Sequence, residues 1–246
     1  MVTKQSDREN ISLQSRPLHK MFSDVPHRYD IMNRLLTLRF DELWRKKAAK
    51  ECMRTSPHKV MDLCTGTGDL ALWLDKYAKQ GTEIIGLDFS EPMLEVARDK
   101  ASGRLPNRIQ FILGDVSALP FPNGTIEVIG IAFAFRNLTY LNPKRELYLK
   151  EIVRVIKPGG KFVIVETSQP KSALLKSMVH LYMKAIVGGF GGFISGHKGA
   201  YRYLAQSAIN FYDPDKMSAL LVDSGFGKVT CKRLLGGVAA IFIAIK

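Results

Sequence analysis

The stretch VMDLCTGTGDLALWL (60–74) runs a strand pattern into Gly66-Thr67-Gly68 and opens a helical pattern directly after. Glycines at such a junction let the backbone turn sharply and approach a ligand closely. Asp88 ends the next strand pattern, twenty residues after Gly68, where a carboxylate can accept from both hydroxyls of a ribose. Taken alone this chemistry suits a dinucleotide equally, since Gly66, Gly68 and Ala71 satisfy GxGxxA. Asp62 tilts the choice. It lies four residues before Gly66, and a carboxylate there anchors the loop or meets a cationic amino group, whereas a pyrophosphate needs positive potential. Asp115, in ILGDVSALPF, ends the third strand pattern. It is placed to accept from an adenine 6-amino group while the N–H of Val116 faces a ring nitrogen. A ligand with a ribose, an adenine, a sulfonium and an α-ammonium, and no phosphate, is S-adenosylmethionine. Each residue also has a plainer reading. Asp88 can be a helix N-terminal charge beside a Ser90 cap, and Asp115 a turn residue. Their convergence at three consecutive strand ends favours one shared crevice.

The elements that must position these residues follow from periodicity. KVMDL (59–63), EIIGLD (83–88), IQFILGD (109–115), IEVIGIAF (126–133), KFVIVET (161–167), KVTCKRLL (228–235) and AAIFIAIK (239–246) read as strands. Apart from Asp62, the runs at 60–63, 84–87 and 162–165 carry no polar side chain, as expected of strands covered on both faces. DLALWLDKYAKQ, SEPMLEVARDKA, PKRELYLKEIVRVI and DPDKMSALLVDSG read as the helices between. Alternating units predict a doubly wound α/β sheet. Only Gly236-Gly237 separates the last two strands, too short for a parallel crossover, so they must form an antiparallel hairpin. Seven strands, mostly parallel and closed by such a hairpin, are the arrangement of class I methyltransferases. Residues 1–246 are expected to form a single domain, with a helical extension at 1–58 and a helical insertion at 168–212. The insertion is too long for a simple connection and is the expected acceptor-side lid.

Beyond these motifs, MFSDVPHRYDIMNRLLTL, DLCTGTGDLAL, GDVSALPFPNGTIEVIGIAFAFRNL, EIVRVIKPGGKFVIVETSQP, ISGHKGAYRYLAQSAINFYDPDKMSALLVDSGF and GGVAAIFIAIK resemble the ubiquinone/menaquinone biosynthesis C-methyltransferase family over roughly residues 20–246. RYDIMN and AFRNL are specific to that family; the GTG loop is not. The resemblance implies cofactor contacts at Thr67, Asp88, Asp115 and Val116. It also implies the acceptor, a polyprenylated quinol: demethylmenaquinol, or 2-polyprenyl-6-methoxy-1,4-benzoquinol in the ubiquinone branch. AFAFRNL departs from the usual AFGLRNV and TSQP from FSKP, and Ala132 stands where relatives carry Ser.

A sulfonium methyl needs an electron-rich carbon in line, which a reduced quinol supplies and a quinone does not. Arg136 and Asn137 follow the fourth strand, at the carboxyl edge where that methyl must lie. Arg136 is the candidate to stabilise an oxyanion or order a basic water, and Asn137 to orient the hydroxyl. The plainer reading pairs Arg136 with an acid that holds the loop. Tyr29, His197, Tyr201 and Tyr203 are further acceptor-side candidates, though such aromatics are more often core. GGFGGF (188–193) reads as a lipid-tail path or a packing motif. KSMVHLYMKAIV (176–187) is amphipathic, which suits a membrane surface, with burial against the core as the default.

Composition narrows the setting. Three cysteines without CxxC spacing and five histidines without paired spacing argue against a disulfide framework or a metal site and for a reducing compartment. The first twenty residues are polar and unlike a secretory leader, so a cytoplasmic protein is expected, with a peripheral position at the inner membrane face left open. The net charge of +13 would attract anionic lipid or nucleic acid, but no basic run interleaved with aromatics supports nucleic acid. Self-association stays open. The rival readings are a methyltransferase for another small molecule, a noncatalytic scaffold subunit and an NAD-linked dehydrogenase.

Overall fold

The computed structural model describes residues 34, 37–103, 108–191 and 198–246. Seven strands form one sheet: β1 (Lys59–Leu63), β2 (Glu83–Asp88), β3 (Ile109–Leu113), β4 (Ile126–Ala132), β5 (Ile156–Thr167), β6 (Lys228–Leu234) and β7 (Ala239–Ile245). Their order is β3-β2-β1-β4-β5-β7-β6. The first five pair in parallel, and β7 runs antiparallel to both β5 and β6. The expected doubly wound sheet with a closing hairpin is therefore present. The strand order reverses at β1, which lies between β2 and β4. Ligands of such sheets sit beyond the carboxyl ends at this reversal.

Helices α1 (Phe40–Met53), α2 (Asp69–Tyr77), α3 (Glu91–Ser102), α4 (Phe135–Thr139), α5 (Arg145–Val155), α6 (Ala173–Tyr182), α7 (Lys198–Ile209) and α8 (Pro214–Asp223) surround the sheet, and a π-helix (Met183–Gly191) continues α6. Local chemistry sets their starts. Asp213 caps α8, its carboxylate accepting from the N–H groups of Asp215 and Lys216, with Pro214 leading the first turn. Ser172 caps α6 by accepting from Leu175 N–H.

Alternation along the central strands fills two cores. Met61, Leu63, Ile85, Leu87, Ile129 and Ile131 pack with Leu149, Ile152, Met217 and Leu221 from α5 and α8. Val60, Ile84, Val128, Val163 and Val165 pack on the other face with Trp44, Ala48 and Cys52 of α1 and Leu70 and Leu74 of α2. This two-sided burial accounts for the apolar runs.

β3, β4 and β7 end one or two residues before the expected 115, 133 and 246, and two further boundaries differ for reasons the backbone shows. β5 begins at Ile156, which pairs with Ile126 before a register shift. Gly159 at φ 74 and Gly160 carry the irregularity. A Cβ at Gly160 would lie 2.8 Å from the Lys157 carbonyl and 2.9 Å from that of Glu127. β6 stops one residue early because Leu235 turns left-handed at φ 44, followed by Gly236 and Gly237 at φ 66 and 100. The insertion's two ends are tied by Gln169, whose Nε2 donates to the carbonyls of Ala208 and Ile209 at 3.1 and 3.0 Å. Its Oε1 lies 3.1 Å from His180 Nε2 of α6. Among the described residues, no helix is long and apolar enough to cross a membrane.

Candidate cofactor and acceptor site

A cavity of about 450 Å³ opens at the carboxyl ends of β1, β2, β3 and β4. Asp62, Gly66, Thr67, Asp88, Asp115, Val116 and Asn137 line it, together with Cys64, Thr65, Ala132, Phe133, Tyr140, Tyr148 and Tyr203. Gly68 is not in the wall; it turns the loop from behind. Its φ of +83 demands glycine, and a Cβ there would lie 3.0 Å from Ala97 Cβ.

The glycine loop is held by carboxylates. Asp62 Oδ2 accepts from Thr65 Oγ1 at 2.6 Å and from Ala71 N–H at 2.9 Å, pinning the loop to the start of α2. Burial pushes its carboxyl up to about 7, against the pull of those two donors and of Arg45. Asp88 Oδ2 accepts from Gly66 N–H at 2.8 Å, and Oδ1 from Ser90 N–H at 3.0 Å. Burial raises this carboxyl too, and the amides of Gly66, Ser90 and Phe89 oppose the rise. Ser90 stands at the N-cap of α3 without a side-chain capping bond. Asp88 thus serves loop and helix start at once while lining the cavity. Asp115 is exposed at the rim, and its Oδ1 accepts from Ser117 N–H at 2.6 Å. Buried Thr67 accepts at Oγ1 from Lys100 Nζ at 2.9 Å.

This wall fits S-adenosylmethionine. Among the described residues, four carboxylates, Asp62, Asp69, Asp88 and Asp115, line the cavity with two cations, Arg45 and Lys144, which favours a cationic ligand over a pyrophosphate. The Gly66 N–H, which a phosphate would need, is already engaged by Asp88.

The sequence pattern of the ubiE/COQ5 methyltransferase family matches residues 10–246. A demethylmenaquinone methyltransferase of Thermus thermophilus is 40% identical over 91% of this chain and 98% of its own length. The chain belongs to this family. The ubiquinone/menaquinone biosynthesis C-methyltransferase UbiE of Geobacter sulfurreducens is 38% identical over 93% of this chain and 88% of its own. The fold has solved counterparts. A methyltransferase structure from Methanococcus maripaludis, described as putatively S-adenosyl-L-methionine-dependent, covers 92% of this chain and 94% of its own at TM-score 0.60 and 20% identity. The protein is accordingly an S-adenosylmethionine-dependent methyltransferase with the class I fold.

The methyltransferase separates the two residues read as a catalytic pair. Asn137 of α4 lines the cavity, and its Oδ1 is buried with no hydrogen-bond partner among the described residues. Arg136 is not in the wall. Its Nη1 donates to Glu166 Oε1 at 3.0 Å and to Thr167 Oγ1 at 2.8 Å, and its backbone N–H donates to Glu166 Oε2 at 3.1 Å. At Nη1, then, the loop-holding ion pair is the arrangement observed. Burial raises the phenol of Tyr203 and the nearby Arg136 charge opposes it.

Tyr29 and His197 lie outside the described residues, as does RYDIMN, and Tyr201 is described in its backbone alone. Sequence reasoning missed Glu166, Arg45, Tyr140 and Tyr148. Glu166 carried a signal: a lone carboxylate ending an apolar strand must be paired when buried. Arg45 carried none, since it reaches the cavity only through packing of α1, with its guanidinium 5.2 Å from the Phe133 ring centroid.

Proposed function

We propose that the methyltransferase C-methylates a polyprenylated quinol, converting demethylmenaquinol to menaquinol. The observation that carries this reading is a single cavity lined both by the carboxylates Asp62, Asp88 and Asp115 and by Asn137, Tyr140 and Tyr203. Asp88, which lines the cavity, accepts from the ribose hydroxyls. Asp115 and the N–H of Val116 read the adenine edge, Asp62 meets the ammonium group, and Gly66, Thr67 and Gly68 shape the turn. When bound, S-adenosylmethionine supplies an electrophilic methyl group on a sulfonium.

Tyr140 and Tyr203 in the lining suit a flat ring, and the orphaned Asn137 Oδ1 accepts from its hydroxyl. Only the reduced acceptor has that hydroxyl. Loss of the hydroxyl proton to water would place electron density on the neighbouring ring carbon, which would then take the sulfonium's methyl group and leave a neutral thioether; the ring proton would pass to water as the aromatic ring is restored. Arg136 acts from behind the wall, holding α4 to β5 through Glu166 and biasing Tyr203. The 168–212 insertion supplies the lid through Tyr203, Gln206 and Asn210 of the α7 region, so that positioning and exclusion of water carry most of the rate. The name of the Thermus thermophilus relative supports this acceptor. That of the Geobacter sulfurreducens relative supports a second, the methoxy-benzoquinol of the ubiquinone branch.

The test is transfer of labelled methyl from S-adenosylmethionine to each acceptor, kept reduced, with oxidised quinones as controls. Product from the naphthoquinol is expected, and product from both quinols would make the enzyme dual-purpose. Cofactor binding without product from either would overturn the quinol reading and favour a scaffold role.

A further inference from the structure

Helix α6 is the least supported element of the sheet's surroundings. Against the described residues, none of its side chains is buried. Leu174, Met178 and Leu181 are 73%, 60% and 69% exposed, and their spacing of four and three puts them on one helix face. Within α6 the default expectation of burial against the core is not met, whereas Val187 of the following π-helix is buried. Ile186 extends the exposed apolar set into the π-helix. The turn joining β6 to β7 abuts α6: a Cβ at Gly236 would lie 2.7 Å from Leu175 Cδ2, and exposed Leu235 is the next residue back. Scattered exposed leucines are ordinary, but a contiguous group marks an interaction surface.

Charge identifies the occupant. From Thr167 to Tyr212 the sequence has no Asp or Glu, while Lys171, Lys176, Lys184, Lys198 and Arg202 fall within it. Lys171, Lys176 and Lys184 are exposed beside the apolar face. A second copy docking there would bring like charges together, which opposes association. An anionic headgroup layer meets both features at once: it takes the lysines electrostatically and the apolar side chains at the acyl boundary.

We propose that α6 is a docking face for an anionic lipid bilayer, lying in the interface plane with Leu174, Met178 and Leu181 inserted. The same insertion reaches the cavity. The π-helix that continues α6 packs against α7, whose Tyr203, Gln206 and Ser207 line the cavity wall. Docking would hold the acceptor side of the cavity close to the lipid surface.

Co-sedimentation of the full chain with phosphatidylcholine vesicles, with and without phosphatidylglycerol, tests this without any acceptor. Its failure is therefore distinct from failure of the quinol reading. The wild type is expected to pellet with anionic vesicles and far less with neutral ones. L174E/M178E/L181E should lower partitioning by about tenfold or more, and K171E/K176E/K184E should remove the dependence on phosphatidylglycerol. L174I/M178L/L181I should retain binding. Unchanged S-adenosylmethionine affinity and melting temperature establish that the variants fold. Wild type that stays in the supernatant, or a triple-glutamate variant that pellets equally, overturns the proposal. So does a dimer that the triple-glutamate substitution dissociates while vesicles bind neither form.

Discussion

Gly66 donates its backbone N–H to Asp88 Oδ2 at 2.8 Å, so the carboxylate that ends β2 closes the loop that follows β1. One side chain thereby shapes the cofactor turn and faces the cavity. Replacing Asp88 by Ala strands the N–H groups of Gly66 and Ser90 and removes the proposed ribose acceptor. Hydrogen bonds to a charged group are worth about 1.5–3 kcal/mol each. S-adenosylmethionine affinity, measured calorimetrically, should fall by about two orders of magnitude. Melting temperature should also drop, even in the absence of ligand. An affinity within a few-fold of wild type would remove Asp88 from the ribose site.

Asp62 makes the apo-protein pH-sensitive. Burial lifts its carboxyl from 3.8 to about 7, so between those values the folded chain holds a proton that the unfolded chain releases. Stability from this group is present below pH about 4 and lost as pH rises through about 7. A cationic ligand amino group prefers the ionised form. Cofactor affinity should therefore tighten as pH rises toward 7, by at most about tenfold per unit, and level off above. Asp62→Asn keeps an acceptor for Thr65 and Ala71 but cannot titrate, so it should flatten both profiles. Parallel profiles in variant and wild type would exclude Asp62 as their source.

The side chains of Arg136 and Glu166 are 6% and 0% exposed, so neither charge can be left alone without a solvation cost. Arg136→Ala should lower stability by about 3–5 kcal/mol in urea unfolding, and the double variant R136A/E166A should recover part of it. Arg136→Lys keeps the charge but loses the fork. It is expected to lower kcat far more than cofactor affinity, because α4 carries Asn137 into the cavity. Equal losses in both would reduce Arg136 to a purely structural tie.

How much of this was legible follows from the range of each interaction. Asp62, the glycine loop and Asp88 could be found because local patterning fixes each at a strand end, and the sheet order brings those ends together. Gly236 and Gly237 announced the hairpin because a two-residue link is too short for a parallel crossover. Glu166 was legible as a carboxylate in need of a partner, but its pairing with Arg136 was not, because the two stand thirty residues apart and meet only in the folded chain. Arg45 was hidden for the same reason: its neighbour Phe133 belongs to the opposite half of the α/β unit. AFRNL pointed to the right turn, but spacing could not tell that Asn137 faces the cavity while Arg136 faces away.

Asn137 carries the sharpest claim about the acceptor. A buried amide oxygen without a partner among the described residues costs about 1–3 kcal/mol, and a hydroxyl donor in the cavity would relieve that cost. Asn137→Ala removes the acceptor without touching the Asp62 or Asp88 bonds, so S-adenosylmethionine affinity should stay within about twofold of wild type. Turnover on reduced quinol should fall by about ten- to a hundredfold, the scale of one hydrogen bond that orients a reacting group. Asn137→Asp should not rescue it below neutral pH as a base alone would, because the amide's role is to orient and not to titrate. A pH–rate profile of Asn137→Asp that regains wild-type turnover on its basic limb would instead make position 137 the site of proton removal.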